Sequence, residues 1–175
     1  TSIDMENRAD EQSVLDALSA MQKNDTQSIQ AAGNYLMQVM EQPVNLEVFF
    51  SILSKSFPPY ERQLCSLFCR KMIISFYSKF EPQVRDNLKS SSLALLARET
   101  NVGVRRGICG MISAIALLEF SNGEWNEVKQ VILQDIQSND SHVRENAMLL
   151  LFSLGTYASH AFSSDKLNSL LQRGI

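Results

Sequence analysis

The feature that most constrains the fold is a helical hydrophobic period, which recurs in nine separate segments along the chain. In the second segment, for example, Ile29, Leu36 and Val39 fall on one face of a helix. Short polar breaks separate the segments, and their Ser, Thr, Asp and Asn side chains can accept hydrogen bonds from the first N–H groups of the next helix. Because the connections are short, successive helices must fold back on one another as hairpins.

The hairpins repeat at a nearly constant interval. Their second helices begin near residues 30, 62, 105 and 144, an average step of 38 residues. Two helices in roughly 40 residues is the pattern of HEAT and armadillo arrays. In these arrays one hairpin alone cannot bury both of its faces, and stacking against the next hairpin covers the exposed one. We therefore predict an all-α, right-handed α-α superhelix, a HEAT/armadillo-type solenoid of about four hairpins plus a partial fifth that begins near Asp165.

The domain organisation follows from where the period begins and ends. Residues 1–10 lack it and are predicted to be a flexible N-terminal segment, whereas residues 11–175 form the solenoid. The pattern is still helical at residues 170–175, which suggests a fragment of a longer array. The fourth segment, residues 60–80, is apolar on almost every side, so we expect other helices to cover both of its flanks.

Composition and charge exclude several classes of function. The net charge is −3, without the basic stripe that a nucleic-acid interface requires. No apolar stretch is long enough to insert in a membrane, and no signal peptide is visible. The three cysteines, Cys65, Cys69 and Cys109, are odd in number, which predicts reduced thiols packed in the core.

Nothing in the sequence points to catalysis. His142 and His160 are the only histidines, and neither has a cysteine or carboxylate at metal-ligand spacing. There is no CxxC pair, no Gly-rich phosphate loop and no GxSxG elbow. We predict that the protein is not an enzyme and has no catalytic residue, metal ion or cofactor.

Four short stretches, in order, carry a resemblance to a known family. They are residues 62–64 (Arg-Gln-Leu) followed by 70–71 (Arg-Lys), 104–109 (Val-Arg-Arg-Gly-Ile-Cys), 124–128 (Glu-Trp-Asn-Glu-Val) and 143–147 (Val-Arg-Glu-Asn-Ala). Together they resemble hairpins of the importin-beta (karyopherin-beta) superfamily, and are most similar to the importin-beta-3 type. The resemblance extends over residues 11–162.

The resemblance implies the N-terminal HEAT repeats of a nuclear transport receptor, found in both cytoplasm and nucleus. In that family the inner, second helices of the first hairpins bind the GTP form of the GTPase Ran. Cargo lies in the concave surface, and outer helices bind Phe-Gly repeats of nucleoporins. The small acidic excess of the chain favours basic cargo. The alternative is a HEAT scaffold unrelated to Ran, of the adaptor or phosphatase-scaffold type.

Six cations on the second helices are the candidate protein-binding residues: Arg62, Arg70, Lys71, Arg105, Arg106 and Arg144. Two other interpretations stay open. Arg105 and Arg144 can instead pair with acidic residues of neighbouring turns in a ladder along the repeats, with Asp140 as a candidate partner. The charged ends of Arg70 and Lys71, which interrupt an apolar helix, must reach either water or a partner protein.

Overall fold

The described part of the chain is entirely helical. The structure, a computed structural model, describes residues 7–120 and 125–161, except for the side chains of residues 120 and 156–161. In these ranges the chain forms eight α-helices and no strand: α1 (Glu11–Ala20), α2 (Thr26–Met40), α3 (Leu46–Ser54), α4 (Pro59–Phe76), α5 (Pro82–Arg98), α6 (Val102–Phe120), α7 (Asn126–Asp135) and α8 (Ser141–Ala161). Two 3₁₀ turns, Pro43–Asn45 and Tyr77–Lys79, precede α3 and α5.

The helices form hairpins in two compact units. Unit 1 (Thr1–Phe76) contains the pairs α1–α2 and α3–α4, and unit 2 (Tyr77–Ile175) contains α5–α6 and α7–α8. Second helices begin 33 residues apart in unit 1 and 39 apart in unit 2. The predicted all-α fold of HEAT-type hairpins is confirmed. The partial fifth hairpin near Asp165 lies outside the described residues, as do residues 1–6 of the predicted flexible segment.

The polar breaks act as helix caps, as predicted. The Asp25 carboxylate accepts hydrogen bonds from the N–H groups of Gln27 (3.2 Å) and Ser28 (3.1 Å) at the start of α2. Asp10 and Asn101 do the same for α1 and α6, at 2.9 and 3.1 Å. Each cap satisfies N–H groups that have no partner inside the helix. Proline opens α4 and α5, where a missing N–H costs nothing.

The expectation that the fourth helix is covered on both flanks is wrong. In α4, Leu67 is 48% and Ile74 57% exposed. The helix contacts α3 and α1, and neither covers the face that carries these two residues. It also ends at Phe76, and the chain continues into the 3₁₀ turn rather than in helix to Phe80. What is buried is its opposite face, where Phe68 meets Phe49 of α3 edge-to-face at 5.4 Å between ring centroids.

The covered helix is α6. Its apolar residues Val104, Ile108, Ile112 and Ile115 are fully buried, because α5 packs on one side of the helix and α8 on another. Trp125, immediately before α7, is buried as well. Unit 2 therefore has its own continuous core, as a stack of hairpins requires.

A polar cluster ties the start of unit 2 to α6. The buried Tyr77 hydroxyl donates to Glu119 Oε1 at 2.5 Å, and Lys89 Nζ lies 3.3 Å from Glu119 Oε2. Burial, followed by the hydrogen bond to Glu119, raises the pKa of Tyr77 well above its ordinary value. The phenol is therefore a permanent donor that links the 3₁₀ turn to α6.

The three thiols lie in the core and are predicted to be unreactive in the folded chain. Cys65, Cys69 and Cys109 are all buried and unpaired with one another. Burial raises the pKa of Cys109 from 9.0 to about 12 and raises those of the other two thiols as well. At pH 8 the thiolate of Cys109 is then about a thousandfold scarcer than in an ordinary cysteine. We expect iodoacetamide to label none of the three until denaturant is added; rapid labelling of the native chain would contradict this packing.

A carboxylate between α1 and α3 makes the stability of unit 1 depend on pH. Glu11 accepts hydrogen bonds from Lys55 Nζ at 2.7 and 2.8 Å and from Ser51 Oγ at 2.7 Å. The bonds from Lys55 and then Ser51 lower the pKa of Glu11 below its usual 4.5. Because the pKa is lowered by folding, ionised Glu11 stabilises the folded state at pH values above its ordinary pKa. This contribution is lost as the pH falls through the lowered pKa.

We therefore expect Glu11→Gln to be less stable than the parent at neutral pH and to differ little from it at an acidic pH below the lowered pKa of Glu11. Urea titrations of both chains at the two pH values measure the difference in the free energy of unfolding. A difference of the same size at both pH values would show that the ionised form of Glu11 contributes nothing.

Candidate protein-binding surface

No group of three or more His, Cys, Asp and Glu side chains in the described part of the chain is placed to hold a metal ion. Among the described helices, none combines the length and the apolar character needed to cross a membrane. The features that stand out are faces of the second helices.

Arg105 lies inside unit 2. The residue is only 1% exposed, and its Nη2 donates to Glu145 Oε2 on α8 at 2.6 Å. Its Nη1 is 3.4 Å from His142 Nδ1. The ion pair between Arg105 and Glu145 joins α6 to the next second helix, α8, as the ladder interpretation supposes. The carboxylate is Glu145, however, and not the candidate Asp140. Asp140 instead caps α8 by accepting a hydrogen bond from the N–H of His142 at 2.8 Å.

Arg62 and Arg144 bind the main chain that precedes their own helices. Arg62 Nε donates to the carbonyl of Leu53, near the end of α3, at 3.0 Å. Arg144 Nη1 donates to the carbonyl of Ser138, just beyond α7, at 2.7 Å. The last carbonyls of a helix have no partner within it, so an arginine at the start of the second helix satisfies the end of the first. Both arginines thus stabilise the hairpin connection.

The remaining three cations, Arg70, Lys71 and Arg106, are exposed. Within the described residues none of them has a hydrogen-bond or ion-pair partner. Arg106 follows Arg105 directly, yet the turn of the helix points it outwards. Of the six predicted residues, the structure brings only Arg70 and Lys71 together on one exposed face.

That face borders an open groove between α2 and α4, here called the α2–α4 groove. Its volume is about 250 Å³, and it is lined by Met37, Met40, Glu41, Lys71, Met72, Ser75 and Phe76. Unlike α6 and α8, which pack directly on each other, α2 and α4 make few close backbone contacts. The gap between them leaves Met37 59% exposed at its edge.

The composition of α2 separates this groove from an ordinary solvated surface. Residues 26–40 contain no charged side chain, and their exposed positions hold only uncharged residues, among them Gln30, Asn34, Met37 and Gln38. The core of a protein–protein interface is depleted of charge and enriched in methionine. Met37 and Glu41 are not among the residues predicted from the sequence; the uncharged run of α2 is the signal that could have found them.

Unit 2 has a smaller exposed stripe on α8. Arg144, Met148 and Phe152 are spaced four residues apart and all are exposed, Phe152 to 85%. Side chains at this spacing lie along one face of a helix. Like the exposed face of α4 that carries Arg70 and Lys71, this stripe places a cation next to apolar side chains.

Comparison with known proteins gives a consistent family. Residues 100–174 match the family model described as "IPO5-like, TPR repeats". The chain is 26% identical over 129 residues to the probable importin subunit beta-4 of Schizosaccharomyces pombe, a match that covers 74% of the chain and 12% of that relative. It is 25% identical over 148 residues to importin-4 of Mus musculus, covering 85% of the chain and 14% of that relative.

These matches agree with the ordered motifs at the helix starts and with the hairpin fold. The chain spans about an eighth of the length of the curated relatives it matches. Placement at the N-terminus of the array and kinship with the beta-3 type stay predictions. The helical hairpins and the matches together support the similarity of the chain to the HEAT repeats of the importin-beta superfamily.

Proposed function

We propose that this chain is part of a nuclear transport receptor and binds protein partners through the exposed faces of its second helices. The partners are the GTP form of Ran and protein cargo for nuclear import, with Phe-Gly nucleoporins as further ligands. Cytoplasm and nucleus are the matching locations. The relatives support the receptor class through their names, importin subunit beta-4 and importin-4.

One observation supports a specific location for the proposed binding surface. The exposed face of α4, defined as Leu67, Arg70, Lys71 and Ile74, combines apolar side chains with cations that have no partner within the described residues. Exposed apolar side chains that lie together on one face and are bordered by polar groups are typical of protein-interaction surfaces. A helical array binds through such an extended surface rather than through a deep pocket. No catalytic step is part of this function.

Binding to immobilised Ran tests the proposal. The chain should be retained by Ran locked in its GTP form and not by the GDP form. Retention should weaken as salt is raised, because exposed charges contribute to the contact. Equal retention by both forms, or none, would favour the alternative function of a HEAT scaffold unrelated to Ran.

A further inference from the structure

Charge is unevenly distributed among the helices of unit 1. The first helices, α1 and α3, carry the carboxylates Glu11, Asp16 and Glu47 and no lysine or arginine. α2 carries no charge. On α4 the exposed charges are Arg70 and Lys71. Glu11 and Glu47 pair with Lys55 and Arg8, so the acids of the first helices are partly neutralised, whereas the exposed face of α4 is positive.

The carboxylates near α4 do not neutralise these cations. Glu61, the single acid of α4, is buried and accepts hydrogen bonds from Ser19 Oγ (2.9 Å) and Gln22 Nε2 (3.0 Å). Glu41 lines the α2–α4 groove together with Lys71, but no ion pair joins these two described residues. Lys71 and Glu41 thus line the groove without pairing, and Arg70 adds a second positive charge on the exposed face beside the groove, so the sum is positive.

The groove itself suits an apolar side chain. Three methionines and Phe76 line it, and the flexible, polarizable methionine side chain adapts to many shapes. At about 250 Å³ it lies below the range of ~300 to 1,000 Å³ that is typical of sites for whole small molecules. A single side chain of a partner protein matches it better.

We propose that the α2–α4 groove and the exposed face of α4 dock a protein segment that is both acidic and apolar. An apolar side chain of that segment enters the groove, and its carboxylates lie against Arg70 and Lys71. The inference rests on the proposed function, in which the second helices bind proteins, and it adds the chemistry of the partner. It runs against the expectation from the net charge of −3, which favours basic partners.

Two matched peptides test the sign of the charge. One is a short labelled peptide in which leucines alternate with glutamates and serines; the other has lysine in place of every glutamate. Fluorescence anisotropy with the 175-residue chain should show at least about tenfold tighter binding of the glutamate peptide, and added salt should weaken it. Equal or tighter binding of the lysine peptide, or no binding of either, would overturn the proposal.

A charge reversal locates the site. Lys71→Glu should weaken binding of the glutamate peptide about tenfold. The control is Lys23→Glu, an equal change of charge at an exposed position in the connection between α1 and α2, which should leave affinity unchanged. If the two variants bind equally, the groove is not the site.

Methyl NMR gives a readout that does not depend on affinity. With labelled methionine methyl groups, the glutamate peptide should shift the signals of Met37, Met40 and Met72. Met111, in the core of unit 2, should not move. Shifts absent from the groove methionines while the peptide is bound would overturn the assignment.

The two proposals can fail separately. Loss of GTP-selective binding to Ran, with the glutamate peptide still bound at the groove, would overturn the transport function alone. GTP-selective binding to Ran with neither peptide bound would overturn only the acidic, apolar partner.

Discussion

Replacement of Arg105 by alanine is expected to lower the free energy of unfolding of the chain by about 3 kcal/mol. The guanidinium is almost fully buried and bridges α6 and α8 through Glu145 at 2.6 Å. Alanine removes that bridge and leaves a cavity the size of a long side chain between the two helices. Urea denaturation, followed by circular dichroism, measures the loss.

Two further variants separate the charge from the packing. Arg105→Met fills most of the space without a charge, and because Glu145 is partly exposed, its freed carboxylate can reach water. This variant should lie closer to the parent than alanine does, since apolar replacement of buried ion pairs is often nearly neutral. Glu145→Ala, in contrast, leaves a buried cation without its carboxylate and should cost about 2 kcal/mol.

Arg106→Ala is the matched control for the alanine variant. Arg106 is the next residue of the same helix, and it is exposed. Its loss should change the free energy of unfolding by less than about 0.5 kcal/mol. Equal effects at the two positions would contradict the structural role of Arg105.

The second large effect is expected on binding rather than on stability. Ile74→Asp should weaken binding of GTP-bound Ran about thirtyfold, which corresponds to about 2 kcal/mol. Ile74 is 57% exposed and lies at the C-terminal end of the exposed face of α4. An aspartate there must be dehydrated when a partner covers it, and that cost opposes binding. Because the side chain is already largely in water, the melting temperature should hardly change.

Leu133→Asp serves as the control for this variant. Leu133 is exposed to 42% and lies on a first helix, α7. Titration of each variant with Ran in the GTP form should show parent-like affinity for Leu133→Asp and weak binding for Ile74→Asp. The opposite ranking would move the binding surface from the second helices to the first.

Sequence predicted the helical hairpins because their signals are local. The hydrophobic period defines the helix type, and residues such as Asp25 and Asn101 mark helix starts through hydrogen bonds only a few residues long. The three cysteines were placed correctly in the core for the same reason: each lies on an apolar face.

The errors concern contacts between residues that are far apart in sequence. Both α4 and α6 carry apolar residues on more than one face, but among the described helices only α6 is packed between α5 and α8. Whether a helix is covered depends on where the neighbouring helices pack. The hydrophobic period of a single segment contains no information about that packing. Likewise, the partner of Arg105 is Glu145, 40 residues away, while the adjacent Arg106 faces outwards.

Net charge alone does not show how charge is distributed over the surface. A total of −3 says nothing about which helices carry the acids and which carry the bases. In unit 1 the positive charge of the exposed face of α4 became visible only when helix bounds and burial were known. The carboxylate of Glu61 is buried, whereas Arg70 and Lys71 are exposed. The uncharged α2 was visible in the sequence and is the more informative signal.

Hydrogen exchange of the chain with and without GTP-bound Ran tests the central claim most directly. Amide protection should rise in residues 59–76, which form α4, and stay unchanged in residues 46–54, which form α3. The GDP form of Ran should protect neither. Protection confined to the first helices, or the same protection with both nucleotides, would contradict the assignment of the second helices as the binding surface of a transport receptor.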